Sequence, residues 1–349
     1  MPVALSVDRL RRTLLLAAPT VLLGGCASRT GLEEPARALN ERLAANDERS
    51  FLELFAATEG AQATGRRMFA ALSPGPTTIE AGTSGRLRVT WGLPGEPSVV
   101  SEADLQLQGG RVAHLSARSS GTEWLDEPLG VHSDEVLVVA SGVPSHLRRW
   151  SRAAQSALEA LAAVTPPGHD WAKPVVVLIP NDLIGFAAYA GRGADRTAAV
   201  TVVPGLPHSE SVRVVVNPTA RQKTEDDIAL LTHEAVHAGM RSPRLTGAPA
   251  WLIEGIAEAF TALAHPQVAR ANKKRVRKAL AGGAPERLPE VGAGTATEYA
   301  LAQVAVQAAV AQVGWPAVLA EAEARHNGRP AIADQHLLTW FLDALGRLR

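Results

Sequence analysis

At 349 residues with an apolar fraction of 46%, the chain can bury a core in each of two ordinary domains, which excludes a disordered polymer. Lys plus Arg and Asp plus Glu balance at 35 each, so no global field draws in nucleic acid or an anionic membrane surface. A single cysteine, Cys26, excludes an internal disulfide framework and a thiolate-based zinc site, so any metal must be held by His, Asp or Glu.

In chain order, Arg9, Arg11 and Arg12 precede a short apolar run, "TLLLAAPTVLL", which reads as an export leader over residues 1–25 rather than as a spanning helix. The run closes on "LLGGCAS", in which Leu23-Gly24-Gly25-Cys26 resembles the lipobox of bacterial lipoproteins. That resemblance implies cleavage before Cys26, lipidation of its thiol and a lipid anchor on the outer face of the cytoplasmic membrane.

Residues 26–34 read as a polar tether. Beyond them, Leu39, Leu43, Phe51, Leu52 and Leu54 recur at helical spacing, and "TTIEAG", "GRLRVTWGL" and "EADLQLQGGRVAHLSA" alternate at strand spacing. Gly109-Gly110 stands where a hairpin turn belongs. Helices followed by an antiparallel sheet predict a small α+β domain over 35–128, which resembles the nuclear transport factor 2-like fold in architecture alone.

A boundary is expected at "EWLDEPLGV", and a second domain over 132–345. "DEVLVVASG", "KPVVVLIP", "AAVTVVPG" and "SVRVVVNP" read as strands, "PSHLRRWSRAAQSALEALAAV" as a helix, and "NDLIGFAAYAG" as a helix capped by Asn181 or Asp182. From Lys223 onward the pattern is helical, so the second domain is expected to be α+β, a mixed sheet plus a helical lobe.

The chemistry concentrates in "ALLTHEAVHAGM". Residues 224–241 predict a helix with Thr224 as N-cap, Glu225, Asp226 and Asp227 in the first turn, and Pro243 beyond the end. His233 and His237 are i and i+4, so both imidazoles leave one face close enough to share a Zn²⁺ ion. Glu234 lies one step round the helix, where a general base belongs. A third histidine in the pattern HExxHxxGxxH would need Gly where Met240 stands and His where Pro243 stands, so that branch is excluded. Downstream, Trp251-Leu252-Ile253-Glu254-Gly255 resembles the W-L-x-E-G motif of gluzincin metallopeptidases of the peptidase MA-like kind.

The resemblance implies that Glu254 is the third zinc ligand, that Glu258 fixes the tautomer of a ligating histidine, and that the second domain is zincin-like. It also implies that Glu234 deprotonates the attacking water and passes the proton to the leaving amine. Tyr299, at the start of a long helix, is the expected oxyanion donor, with His336 as the second candidate, while His146, His169, His208 and His265 read as structural. An extended peptide or protein substrate is expected against an edge strand, for which "SVRVVVNP" is the candidate. The G-x-M-E-N segment of gluzincin aminopeptidases is missing from the sequence, which disfavours that activity. The functional expectation is therefore a lipid-anchored extracytoplasmic zinc metallopeptidase, and the alternative is a catalytically inactive zincin-like lipoprotein that binds a partner.

Overall fold

The computed structural model describes residues 31–82, 85–117, 121–125, 129–190, 197–220, 224–292 and 294–348. The leader and Cys26 lie outside the described residues.

The chain is a mixed α+β protein built on two sheets. Helix α1 (Glu33–Ala44) begins within the segment read as tether, because Leu32, Ala36, Leu39 and Leu43 form one buried stripe that draws the chain into the core there. Helix α2 (Glu48–Leu52) is capped by Asp47, whose carboxylate accepts from the Ser50 amide at 3.1 Å, and α3 (Glu59–Leu72) by Thr58, which accepts from the Ala61 amide. Strands β1 (Thr78–Ala81), β2 (Arg86–Trp91), β3 (Val99–Gln108) and β4 (Arg111–Ala117) follow as an antiparallel meander. Gly109 and Gly110, with φ of 58° and 77°, turn the β3–β4 hairpin in the left-handed region that side chains avoid. Alternation in β2 turns Leu87, Val89 and Trp91 into the core that also holds the packed rings of Phe51, Phe55 and Phe69.

The second sheet runs β5 (Gly130–Ser133), β6 (Leu137–Ser141), β7 (Val175–Ile179), β9 (Arg213–Val216), β8 (Ala199–Val202). β6, β7 and β9 are parallel, and β5 and β8 are antiparallel edges. This corrects the edge expected at "SVRVVVNP": β9 is interior, because an apolar run without alternation is buried on both faces, whereas β8 is only partly covered. Part of the expected boundary segment also becomes structure, since β5 pairs with β6. Helix α4 (Pro144–Val164) crosses between β6 and β7, and α5 (Leu183–Ala190) begins after Asp182, whose carboxylate accepts from the Gly185 amide at 2.8 Å.

Alternate residues of this sheet serve two cores. Leu137, Val139, Val177 and Val214 pack beneath the helices, whereas Val138, Ala140, Val176 and Leu178 close the core of the first region. The contact carries a buried ionic knot: Arg213, 1% exposed, donates from Nε and Nη2 to Glu96 at 2.6 and 2.8 Å and lies 2.9 Å from Glu123. Burial by itself disfavours the guanidinium charge, but Glu123 and Glu96 more than reverse it and hold Arg213 firmly ionised.

Among the described residues, five α-helices follow: α6 (Thr224–Gly239), α7 (Ala250–Ala264), α8 (Pro266–Leu280), α9 (Ala296–His326) and α10 (Asp334–Gly346). Thr224 is already helical rather than a cap, and α6 ends two residues earlier than expected, where Arg241 adopts a left-handed φ of 52° and turns the chain back through Ser242. α9 starts one turn before Tyr299 because Thr295 and Glu298 form a reciprocal capping box. By length and composition α9 could cross a membrane, yet it bends at Gly314 and buries Ala300, Ala302, Gln303 and Val306 inside the protein. Gly255 lets α7 meet it, since a Cβ there would stand 2.5 Å from the Ala302 carbonyl oxygen.

Candidate metal centre

Two helices build the site. α6 is covered on most sides, with Leu231, Ala235 and Val236 in the core, and His233, Glu234 and His237 turn toward the cavity. α7 crosses that face and presents Glu254 and, one turn later, Glu258.

His233 Nε2, His237 Nε2 and Glu254 Oε2 converge. The two nitrogens are 3.0 Å apart, and the carboxylate oxygen lies 3.3 Å from His233 and 3.2 Å from His237. Ligands at about 2.0–2.1 Å in a tetrahedral zinc site stand roughly 3.3 Å from one another, so this triangle has the size that a small cation requires. Among the described residues it is also the grouping of His, Asp and Glu whose ligand atoms could hold a metal.

The outward nitrogens are fixed as well. His233 Nδ1 faces Glu258 Oε2 at 3.2 Å, and His237 Nδ1 faces the Ser242 hydroxyl at 2.9 Å. Each imidazole thereby keeps Nε2 turned toward the common centre. Glu258 is held in turn by buried Asn272 of α8, whose amide donates to Glu258 Oε1 at 2.5 Å and to Gln303 of α9 at 2.7 Å. Arg275 closes this chain by donating to Asn272 Oδ1 at 2.7 Å.

The imidazoles and carboxylates of the cluster are coupled in charge. Burial alone lowers the affinity of His233 for a proton, but hydrogen bonds and charge from Glu254 and Glu258 override it and raise the imidazole well above its ordinary range. Glu254 shows the converse. Burial raises it, and the His237 and His233 imidazoles pull it far below the usual carboxylate range. Glu258 is likewise depressed, with burial opposed chiefly by its bond to His233.

Glu234 is buried beside the triad without joining it, and its Oε2 accepts from the Thr201 hydroxyl of β8 at 2.5 Å. Triad, Glu234, Thr201 and Tyr299 line one cavity of about 950 Å³ bounded by the β8 edge. The Tyr299 ring stands edge-on to His233 at 6.0 Å between centroids. Its phenol is pushed up to about 12, first by burial and then by the carboxylates of Glu254, Glu234 and Glu258, so it stays a hydrogen-bond donor through the neutral range.

The structure therefore brings His233, Glu234, His237, Glu254, Glu258 and Tyr299 into one place. His336 is not among them: it is exposed on α10 and stacked on Trp340. His146, His169, His208 and His265 do not line the cavity, and His265 instead bonds the Thr232 hydroxyl at 2.8 Å. Sequence reasoning missed Asn272, Ser242 and Thr201. Asn272 left a signal, since it shares the buried stripe of α8 with Val276 and Leu280 at four-residue spacing. Ser242 and Thr201 left none, because a hydroxyl in a turn or on an edge strand is ordinary. No protein-family model matches the chain, and no curated protein matches it.

Proposed function

We propose that the chain is a zinc-dependent peptidase with a zincin-like second domain, on one observation above the others: two imidazole nitrogens and one carboxylate oxygen converge beside a separate buried carboxylate in an open cavity. His233, His237 and Glu254 would hold the ion. Two imidazoles and a carboxylate suit zinc, and three protein ligands leave a coordination position open, as catalytic rather than structural zinc requires. When bound, zinc supplies Lewis-acid polarisation of water and of the scissile carbonyl.

The chain's own residues do the rest. Glu234, steadied by Thr201, takes the proton of the attacking water and delivers it to the leaving amine. Tyr299 donates to the oxyanion that forms at the carbonyl. The β8 edge offers main-chain groups to an extended peptide, and its proximity to Glu234 through Thr201 aligns that peptide with the base. The helices and meander of the first region suit a nuclear transport factor 2-like module, and the leader and Cys26 suit export and a lipid anchor.

Glu234→Gln tests the reading, because it preserves shape and spares the ligands. The variant should keep its metal and lose cleavage of a mixed peptide pool by roughly a hundred- to ten-thousandfold, read by mass. Chelator-sensitive cleavage that survives the substitution would sink the assigned base. A pool left intact by both forms, with metal bound, would favour the inactive binding module.

A further inference from the structure

The balance of charge over the whole chain hides a local segregation. Helix α8, "PQVARANKKRVRKAL", carries six cations and no acid. Five of them, Arg270, Lys273, Lys274, Arg277 and Lys278, fall at i, i+3, i+4, i+7 and i+8 and so form one stripe about 12 Å long. All five are exposed, while Asn272, Val276 and Leu280 turn into the protein. The sixth, Arg275, leaves the stripe to line the cavity.

Like charges at these spacings repel along a helix, so the stripe weakens α8 and needs a compensating reason. Elsewhere mixed signs relieve such crowding, as in the Arg37–Glu41 pair of α1 at 3.7 Å and the Arg325–Glu321 pair of α9 at 2.6 Å. Among the described residues, no carboxylate lies within ion-pairing distance of the five stripe cations.

We infer that the outer face of α8 is a docking surface for an anionic lipid bilayer. The chemistry separates this partner from an acidic protein. A stable protein interface centres on a buried aromatic or aliphatic anchor, and no apolar side chain is exposed between the five cations. A headgroup surface demands only a density of exposed cations within a Debye length, which this stripe supplies even with Arg277 Nε donating to the Leu348 carbonyl at 3.3 Å. The face stands independently of the metal centre and of the leader. With a lipidated Cys26 it would be a second membrane signal, one that also sets how the domain lies on the surface.

The test uses the full chain and a variant with Gln at all five positions, a substitution that keeps helix propensity. Both are mixed with vesicles of phosphatidylcholine alone and with vesicles of equimolar phosphatidylglycerol and phosphatidylcholine. Whatever the leader contributes is common to both chains. The unaltered protein should favour the anionic vesicles and be released by salt, and the variant should partition into them at least about a hundredfold more weakly. A second measurement needs no variant: amine acetylation of Lys273, Lys274 and Lys278 should be blocked by the anionic vesicles and not by the neutral ones. Equal anionic binding by the two chains, or lysines that stay open on anionic vesicles, would overturn the inference. Protection by polyglutamate where the vesicles give none would overturn it in favour of an acidic polypeptide.

Discussion

Two of the protein's charge clusters put burial to opposite ends. At Arg213 a guanidinium meets Glu96 and Glu123 between the two sheets, with Arg213 and both carboxylates almost wholly enclosed. At His233 two imidazoles meet Glu254 and Glu258, partly open to the cavity. The first cluster carries its own permanent cation, because arginine does not titrate in the accessible range. The second opposes its carboxylates chiefly with imidazoles, and its two Nε2 nitrogens converge with Glu254 Oε2. A permanent buried cation makes the first cluster a tie, whereas convergent imidazole and carboxylate donors make the second a candidate site.

Ligand removal should give the largest effect. Ala at His233, His237 or Glu254 should each abolish most metal binding by metal analysis, and an unchanged stoichiometry in Glu254→Ala would show that the third ligand lies elsewhere. At the tie, Arg213→Met should cost about 3–5 kcal/mol in urea unfolding, because it strands two buried carboxylates. Its metal content should not change, and a parallel loss of metal would break the distinction between the clusters.

A smaller effect sharpens the comparison at its margin. Asn272→Leu removes the amide that holds Glu258, so chelator competition should show metal affinity falling by roughly ten- to a hundredfold while the ligands themselves remain. The smallest is a control on charge pairing itself. Arg37 and Glu41 also form an ion pair, but with side chains 70% and 62% exposed, and Arg37→Ala should leave the unfolding midpoint unmoved.

The sequence made the candidate cluster largely legible, the histidine pair by its local spacing and Glu254 by the resemblance of its helix to the W-L-x-E-G motif. His233 and His237 are four apart, and Glu254 and Glu258 repeat that interval on the next helix. The helices and alternating strands were readable for the same reason, since periods of 3.6 and 2 depend on neighbours only. The α8 stripe was in view too, as "RANKKRVRK", and a net charge of zero concealed it.

The rest belongs to the tertiary structure. Pairing order set β9 inside the sheet and left β8 at the edge, and no local pattern marks which of two adjacent strands lies outermost unless burial on both faces is weighed. Thr201 meets Glu234 across 33 residues, Asn272 meets Gln303 across 31, and Arg213 meets Glu96 across 117. A periodic pattern tells which face of an element is buried, but not which distant element covers it. By itself the sequence determined which faces of α6 and α7 carry His233, Glu234, His237 and Glu254; only packing chose the residues that hold them and the two carboxylates that claim Arg213.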